Sequence, residues 1–245
     1  MGHDYAATIA EVSLKTTVGV QEAIFMNYTS AEKRGSNLII PYRHGELHVP
    51  DKYFSGADIL LQVYLPSDTH GAGKQALSDI ALLLSAQTEV LVAQDDPAHG
   101  DIQAQVEILQ DPVPTEDRFT YLFSLRNASS FWEDVTLSSV GPANPPAVVT
   151  GGDRPIQDMI LTAAGPGFLQ HTDDLGQVSR VEIEAGAGAG TYVLDVGAGT
   201  IKKGAVHQDE FFLHTQPWVM KWQPNDTPSL TSNVNWTAQW RNKYA

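Results

Sequence analysis

The chain has 245 residues, no cysteine and a formal net charge of −14, and 42% of its residues are hydrophobic. That length and apolar content suffice for one large all-β domain or two ordinary domains with true cores. The lack of cysteine excludes disulfides and thiolate chemistry, and the excess of carboxylates argues against a nucleic-acid reader because such a surface repels phosphates.

The first twenty residues contain no continuous apolar run, and no stretch of the sequence approaches the ~18 apolar residues of a membrane span. We therefore expect a soluble protein that is made without an export signal and has no membrane partner.

Alternating apolar residues predict a sheet in the first half of the chain. In DIQAQVEIL (101–109) the apolar side chains at even positions share one face, and FTYLFSLR (119–126) alternates in the same way. ILLQVYL (59–65) is more continuously apolar, which is typical of a strand covered on both sides.

One segment of this half has a different period. GKQALSDIALLLSA (73–86) places Leu77, Ile80, Ala81 and Leu84 at helical spacing and contains no proline. The strand EVLVAQ (89–94) and the turn DDPAHGD (95–101) follow it. The first domain is therefore predicted to be a β-sheet structure with one helix.

A dense set of chain breakers predicts the domain boundary. VGPANPPAVVTGGDRP (140–155) contains four prolines and three glycines, which favour an inter-domain linker over a helix or a central strand. We accordingly expect a first domain at 1–142, a linker at 143–155 and a second domain at 156–245.

The second domain is predicted to be all β. Short apolar runs separated by Gly, Pro, Asp and Asn clusters favour a β-sandwich or jelly roll; they are MILTAAG, VEIEA, TYVLDVG, EFFLHT, WVMKW and NVNWTAQWR. The last run places Val234, Trp236, Ala238 and Trp240 on one face. Core packing is the favoured role for these tryptophans, and sugar stacking is the alternative.

The segment HGELH (44–48) resembles a zinc-protease signature, but its glutamate is one position late and nearby prolines and glycine disfavour the helix that such a site needs. In an extended chain the backbones of His44 and His48 lie roughly 13 Å apart, whereas a shared ion requires ligands at about 2.1 Å. We predict a polar hairpin or turn here, and no metal.

No other pattern marks a catalytic or cofactor site. The chain has no G-x-S-x-G elbow. GAGAGT (186–191) lacks the lysine of a phosphate loop and precedes a strand, so we interpret it as a flexible hairpin connection. No particular pair of carboxylates is singled out for glycoside hydrolysis. We expect no enzyme activity, cofactor or metal.

The negative charge is concentrated in the first half of the chain. Residues 1–140 hold 8 Lys+Arg against 19 Asp+Glu, whereas residues 141–245 hold 7 against 10. No Lys or Arg occurs between Lys74 and Arg118, and this interval includes seven carboxylates that we single out as candidate functional residues: Asp95, Asp96, Asp101, Glu107, Asp111, Glu116 and Asp117. Solubility is the simplest explanation of such a bias.

Several segments together resemble the distal tail protein family of long-tailed bacteriophages with actinobacterial hosts. GSNLIIPYRHGELHVPDKYFSGADILLQVYL (35–65), preceded by Arg34, is similar to the first part of that family. FWED (131–134) resembles the end of its first domain, GGDRPIQDMIL (151–161) the start of its second domain, and TYVLDVGAGT (191–200) a later hairpin.

The resemblance implies a mostly β fold. It comprises an N-terminal tail-tube-like β-sandwich or split barrel with one α-helix, followed by a galectin-like β-sandwich. It also implies a structural virion protein, made in the host cytoplasm and located at the distal end of the tail. There it would form a homo-oligomeric, six-fold ring that joins the tail tube protein to the tail tip and receptor-binding proteins.

A ring of this kind gives the acidic residues a possible role. If the strands at 89–126 form a meander, the connections 95–101 and 111–117 project from its opposite ends. Carboxylates lining the lumen would let the genome slide through without binding, whereas a basic lumen would hold the duplex. In the competing account these residues face solvent or a partner.

Two other functions stay open. A carbohydrate-binding module acting in host adsorption is the alternative to the hub, although the sequence lacks the His, Asn, Arg and Trp cluster of true galectins. A cell-wall hydrolase with an unmarked acid pair is the third.

Overall fold

The computed structural model describes residues 7–27, 33–34, 38–39, 46–47, 53–54, 57–65, 70–114, 119–127, 131–208, 212–214 and 220–244. Within these ranges the chain is mostly β with one α-helix, as the sequence predicts. It divides into two compact units at Val135/Thr136, which we call the first and second domains.

The first domain contains twelve described strands and the helix α1 (His70–Ser85). The strands are β1 (Thr8–Ile9), β2 (Val12–Ser13), β3 (Glu22–Asn27), β4 (Lys33–Arg34), β5 (Leu38–Ile39), β6 (Glu46–Leu47), β7 (Tyr53–Phe54), β8 (Ala57–Tyr64), β9 (Val90–Asp96), β10 (Gly100–Pro114), β11 (Thr120–Asn127) and β12 (Trp132–Asp134).

One antiparallel sheet organises this domain. Its strands follow the order β2-β1-β9-β10-β11-β8-β3, and β12 pairs with β10. Two short antiparallel ladders, β4 with β7 and β5 with β6, account for the other strands. The ladder of β5 with β6 is the pairing that the predicted hairpin around HGELH requires, while His44 and His48 themselves lie outside the described residues.

The apolar residues that alternate along the predicted strands lie in the core, as expected. The buried side chains of the central strands are Ile59, Leu61, Val63, Val90, Val92, Ile102, Ala104, Val106, Phe123 and Leu125. Helix α1 contributes Ala76, Ile80 and Leu84 to the same core. It begins earlier than the predicted 73–86, and Leu77 and Ala81 are only partly buried.

The sheet is curled into a split barrel. Strands β9 and β3 are separated by three strands, so a flat sheet would hold them about 19 Å apart. Instead, the side chain of Gln94 on β9 contacts the backbone of Phe25 on β3 at 3.0 and 3.2 Å. The edge strand therefore folds back onto β9, as expected for the predicted split barrel.

The second domain contains eleven described strands. They are β13 (Ser138–Ala143), β14 (Ile160–Ala163), β15 (Gly167–Thr172), β16 (Val178–Ile183), β17 (Tyr192–Asp195), β18 (Thr200–Lys203), β19 (Val206–His207), β20 (Phe212–His214), β21 (Ser229–Ser232), β22 (Trp236–Trp240) and β23 (Lys243–Tyr244).

Ten of these strands, β13 to β22, form the predicted β-sandwich. One sheet has the order β13-β22-β14-β17-β18-β19 and the other the order β20-β16-β15-β21. The core includes Leu161, Leu194 and Trp236 from the first sheet and Leu169 and Val181 from the second. Two layers enclosing one apolar core are the defining arrangement of a sandwich.

The segment expected to be a linker, residues 143–155, packs with the second domain. The domains divide at Val135/Thr136 and not after residue 142. Strand β13 pairs with β22, and Val148 is 1% exposed within the second-domain core. The prolines and glycines of this segment shape an edge strand and a buried connection, a role that composition alone does not distinguish from a linker.

Two local predictions in the second domain also require correction. GAGAGT does not connect a hairpin, because β16 and β17 belong to different sheets, and Tyr192 Oη donates to Ala187 O within this crossover. In WVMKW the described residues form no strand: Trp222 makes only an isolated bridge to Ile156, and Trp218 lies outside the described residues.

Candidate functional site

The candidate site is the outer face of the first-domain sheet, defined by the side chains that alternate with the buried ones on β8, β9, β10 and β11. On β8 and β11 these positions include Leu60, Leu122 and Ser124, all partly buried. Helix α1 packs against the opposite, core side. A sheet face with apolar side chains that no described element covers is available for contact with another molecule.

Three of the candidate carboxylates lie on this face, two of them at the end formed by the β9–β10 turn. Asp95 is the cross-strand partner of Asp101, and both are exposed. Glu107 lies further along β10 on the same side, opposite Arg126 of β11. Arg126 in turn contacts Asp58 of β8 at 3.4 Å. The outer face is thus acidic at the end formed by the β9–β10 turn.

Asp96 has a structural role that the sequence reasoning did not assign. Its carboxylate accepts hydrogen bonds from the backbone N–H groups of Ala98 at 2.9 Å and His99 at 3.0 Å. This is the usual way in which an aspartate closes a tight turn. Asp96 therefore fixes the β9–β10 connection.

The remaining candidates cannot be placed on this face. Asp111 lies on β10, within the described backbone, but its side chain is not described. Glu116 and Asp117 lie outside the described residues. Strand β10 extends to Pro114, so the first four residues of the predicted connection 111–117 belong to the strand.

An apolar groove lies on the outer face near the C-terminal end of β10. Its cavity has a volume of about 490 Å³. Its walls, which we call the groove residues, are Leu60, Leu109, Val113 and Leu122, together with Asp58, Ile59, Gln110 and Ser124.

The groove arises from irregular pairing between β10 and β11. The register shifts between Ile108 and Gln110 and again between Gln110 and Val113, which leaves Leu109 44% and Val113 47% exposed. Such bulges bend a strand and re-aim its side chains. The sequence pattern indicates a regular strand up to residue 109 and does not reveal them.

The second domain offers no comparable surface for sugar stacking by its described tryptophans. Trp222 and Trp236 are fully buried and Trp240 is 5% exposed, so their rings are inaccessible. Trp222 and Trp240 pack edge to face with ring centroids 5.8 Å apart. Core packing, the favoured role, is confirmed for these three residues.

The described part of the chain contains no group of three or more His, Cys, Asp or Glu side chains that could hold a metal ion. Nor does it contain a helix long and apolar enough to cross a membrane.

The sequence matches no protein-family model and no curated protein. Its fold, in contrast, matches that of the Dit protein of phage SPP1, which is described as a paradigm of hub adsorption apparatus in phages that infect Gram-positive bacteria. The TM-score is 0.67 at 12% sequence identity, over 98% of this chain and 99% of that one. The chain has the distal tail protein fold.

This chain is also similar to chains in two structures of the phage P2 baseplate in its activated conformation. The structure with Ca has a TM-score of 0.49 at 9% identity and covers 99% of both chains. The structure with Sr has a TM-score of 0.46 at 8% identity and covers 98% of this chain and 97% of that one.

Proposed function

We propose that this protein is a structural component of a phage virion, a distal tail hub. It would form a homo-oligomeric ring, most simply a hexamer, that joins the tail tube to the tail tip or receptor-binding proteins. The observation that carries this proposal is the match in fold to the SPP1 hub protein over both domains and nearly the whole chain.

The surface of the first domain supports the same proposal. The outer face exposes apolar groove residues instead of assembling a catalytic group, and an exposed apolar patch marks a site of protein–protein contact. Contact between unlike patches on identical subunits leads to a closed ring when the rotation between neighbours closes.

The candidate carboxylates of the outer face support a second part of the proposal. We propose that Asp95, Asp101 and Glu107 line or rim the lumen of the ring, so that the genome passes without specific binding. Duplex DNA carries about one negative charge per 1.7 Å, and a carboxylate surface gains no counterion release from contact with it.

The decisive experiment is electron microscopy of the purified protein, supported by native mass spectrometry over a range of protein concentrations. The proposal expects six-fold rings with an open centre. A chain that stays monomeric at every concentration, also when mixed with its tail tube protein, contradicts it. Binding to a glycan array without rings would favour the carbohydrate-binding alternative, and soluble fragments released from host cell wall would favour a hydrolase.

A further inference from the structure

We draw no further inference here: the strongest candidate, the apolar groove beside β10 on the outer face of the first-domain sheet, carries none because nothing in the structure shows what covers it.

Discussion

The side chain of Gln94 on β9 holds the edge strand β3 against the rest of the first-domain sheet. It is 6% exposed, its amide nitrogen donates to Phe25 O, and its amide oxygen accepts from Phe25 N–H. These two bonds satisfy the backbone N–H and C=O of Phe25 on the edge strand β3, which would otherwise be buried without partners. Gln94 follows Val90 and Val92 in the inward period of β9. A polar residue at an inward-facing position of a strand indicates a buried hydrogen bond, and this indication was present in the sequence.

Replacing Gln94 with leucine should therefore be costly. Gln94→Leu leaves a buried N–H and a buried C=O without partners, and each such group costs about 1–3 kcal/mol. We expect the free energy of unfolding, measured by urea denaturation, to fall by about 2–4 kcal/mol. The matched control is Gln105→Leu on the exposed side of β10, which should change it by less than about 0.5 kcal/mol. Equal losses at both sites would show that the closing role is wrong.

Two buried tryptophans of the second domain differ in the hydrogen bonding of their indole N–H groups. Trp236 Nε1 donates to Phe168 O at 3.1 Å, whereas Trp222 Nε1 has no hydrogen-bond partner among the described residues. Both side chains are 0% exposed. Trp236→Phe removes volume and also orphans a carbonyl, while Trp222→Phe removes volume and an unsatisfied donor.

Trp236→Phe should consequently destabilise the protein more than Trp222→Phe, by about 1 kcal/mol in the free energy of unfolding. Each variant serves as the control for the other, because the change in side-chain volume is the same. Thermal or urea unfolding of the two variants checks the order. A larger loss in Trp222→Phe would contradict the assignment of these bonds.

His171 on β15 links the stability of the second domain to pH. Burial lowers the pKa of His171 from its ordinary value of 6.5, and the charges of Asp173, Asp226 and Asp174 offset only part of that effect. The folded chain therefore binds this proton less readily than the unfolded chain does. The contribution to stability is complete above the unfolded pKa and is lost as the pH falls below about 6.5.

We expect the free energy of unfolding of the wild type to fall more steeply between pH 7.5 and pH 5 than that of His171→Gln. The control is His207→Gln, at an exposed position, which should keep the steep dependence of the wild type. Urea titrations at several pH values measure the slopes. Parallel curves for the wild type and His171→Gln would rule out a role for this histidine.

At the scale of elements, the β1–β2 hairpin carries backbone strain. Its two-residue turn, Ala10–Glu11, has φ of 48° and 64°. Left-handed conformations at both turn positions suit a type I′ turn, for which Asn-Gly is preferred. Neither alanine nor glutamate adopts them readily.

The double substitution Ala10→Asn/Glu11→Gly should stabilise the protein by about 1 kcal/mol, because it removes this strain without changing a buried side chain. Differential scanning calorimetry should show a higher melting temperature. Glu107→Gly is the control: in a strand interior glycine should destabilise by about 0.5–1 kcal/mol. A lower melting temperature for the double variant would mean that the turn is not strained.

The hydrophobic period of the sequence predicted where the strands lie, but it did not predict the register in which they pair. The alternation in 101–109 and 119–126 identified strands β10 and β11, because a half-buried sheet requires apolar side chains at every second residue. The bulges after Ile108 do not follow from it, since a bulge changes which residues face each other without changing the residue types. The apolar groove depends on those bulges, so it could not be predicted from the sequence.

At the scale of the whole molecule, the proposed acidic lumen predicts how the proposed ring would respond to DNA. The wild-type ring should not bind a 30-base-pair duplex at about 0.15 M salt, where exposed charges are screened beyond about 8 Å. Asp95→Lys/Asp101→Lys should create measurable binding in fluorescence anisotropy, because cations would then line the proposed lumen and release counterions from the duplex.

The control has the same net charge but a different location. Asp174→Lys/Glu184→Lys changes two exposed acids of the second domain and should leave the duplex unbound. If both double variants bind equally, overall charge and not the lumen controls the affinity. Tight binding by the wild type would eliminate the sliding role altogether.

The amino-acid sequence was sufficient to predict the mostly β fold class, the one α-helix of the described residues, the apolar faces of the main strands and the burial of Trp222, Trp236 and Trp240. Each of these properties depends on residues close together in the chain, where hydrophobic period and turn chemistry act directly. The order of the quoted segments also indicated the distal tail family. The tertiary structure alone decided three other features: the domain boundary at 135/136, the closure of the barrel by Gln94 and the groove beside β10. Each of these features depends on contacts between residues that are far apart in the sequence, such as Gln94 and Phe25. Local hydrophobic patterns do not specify such contacts.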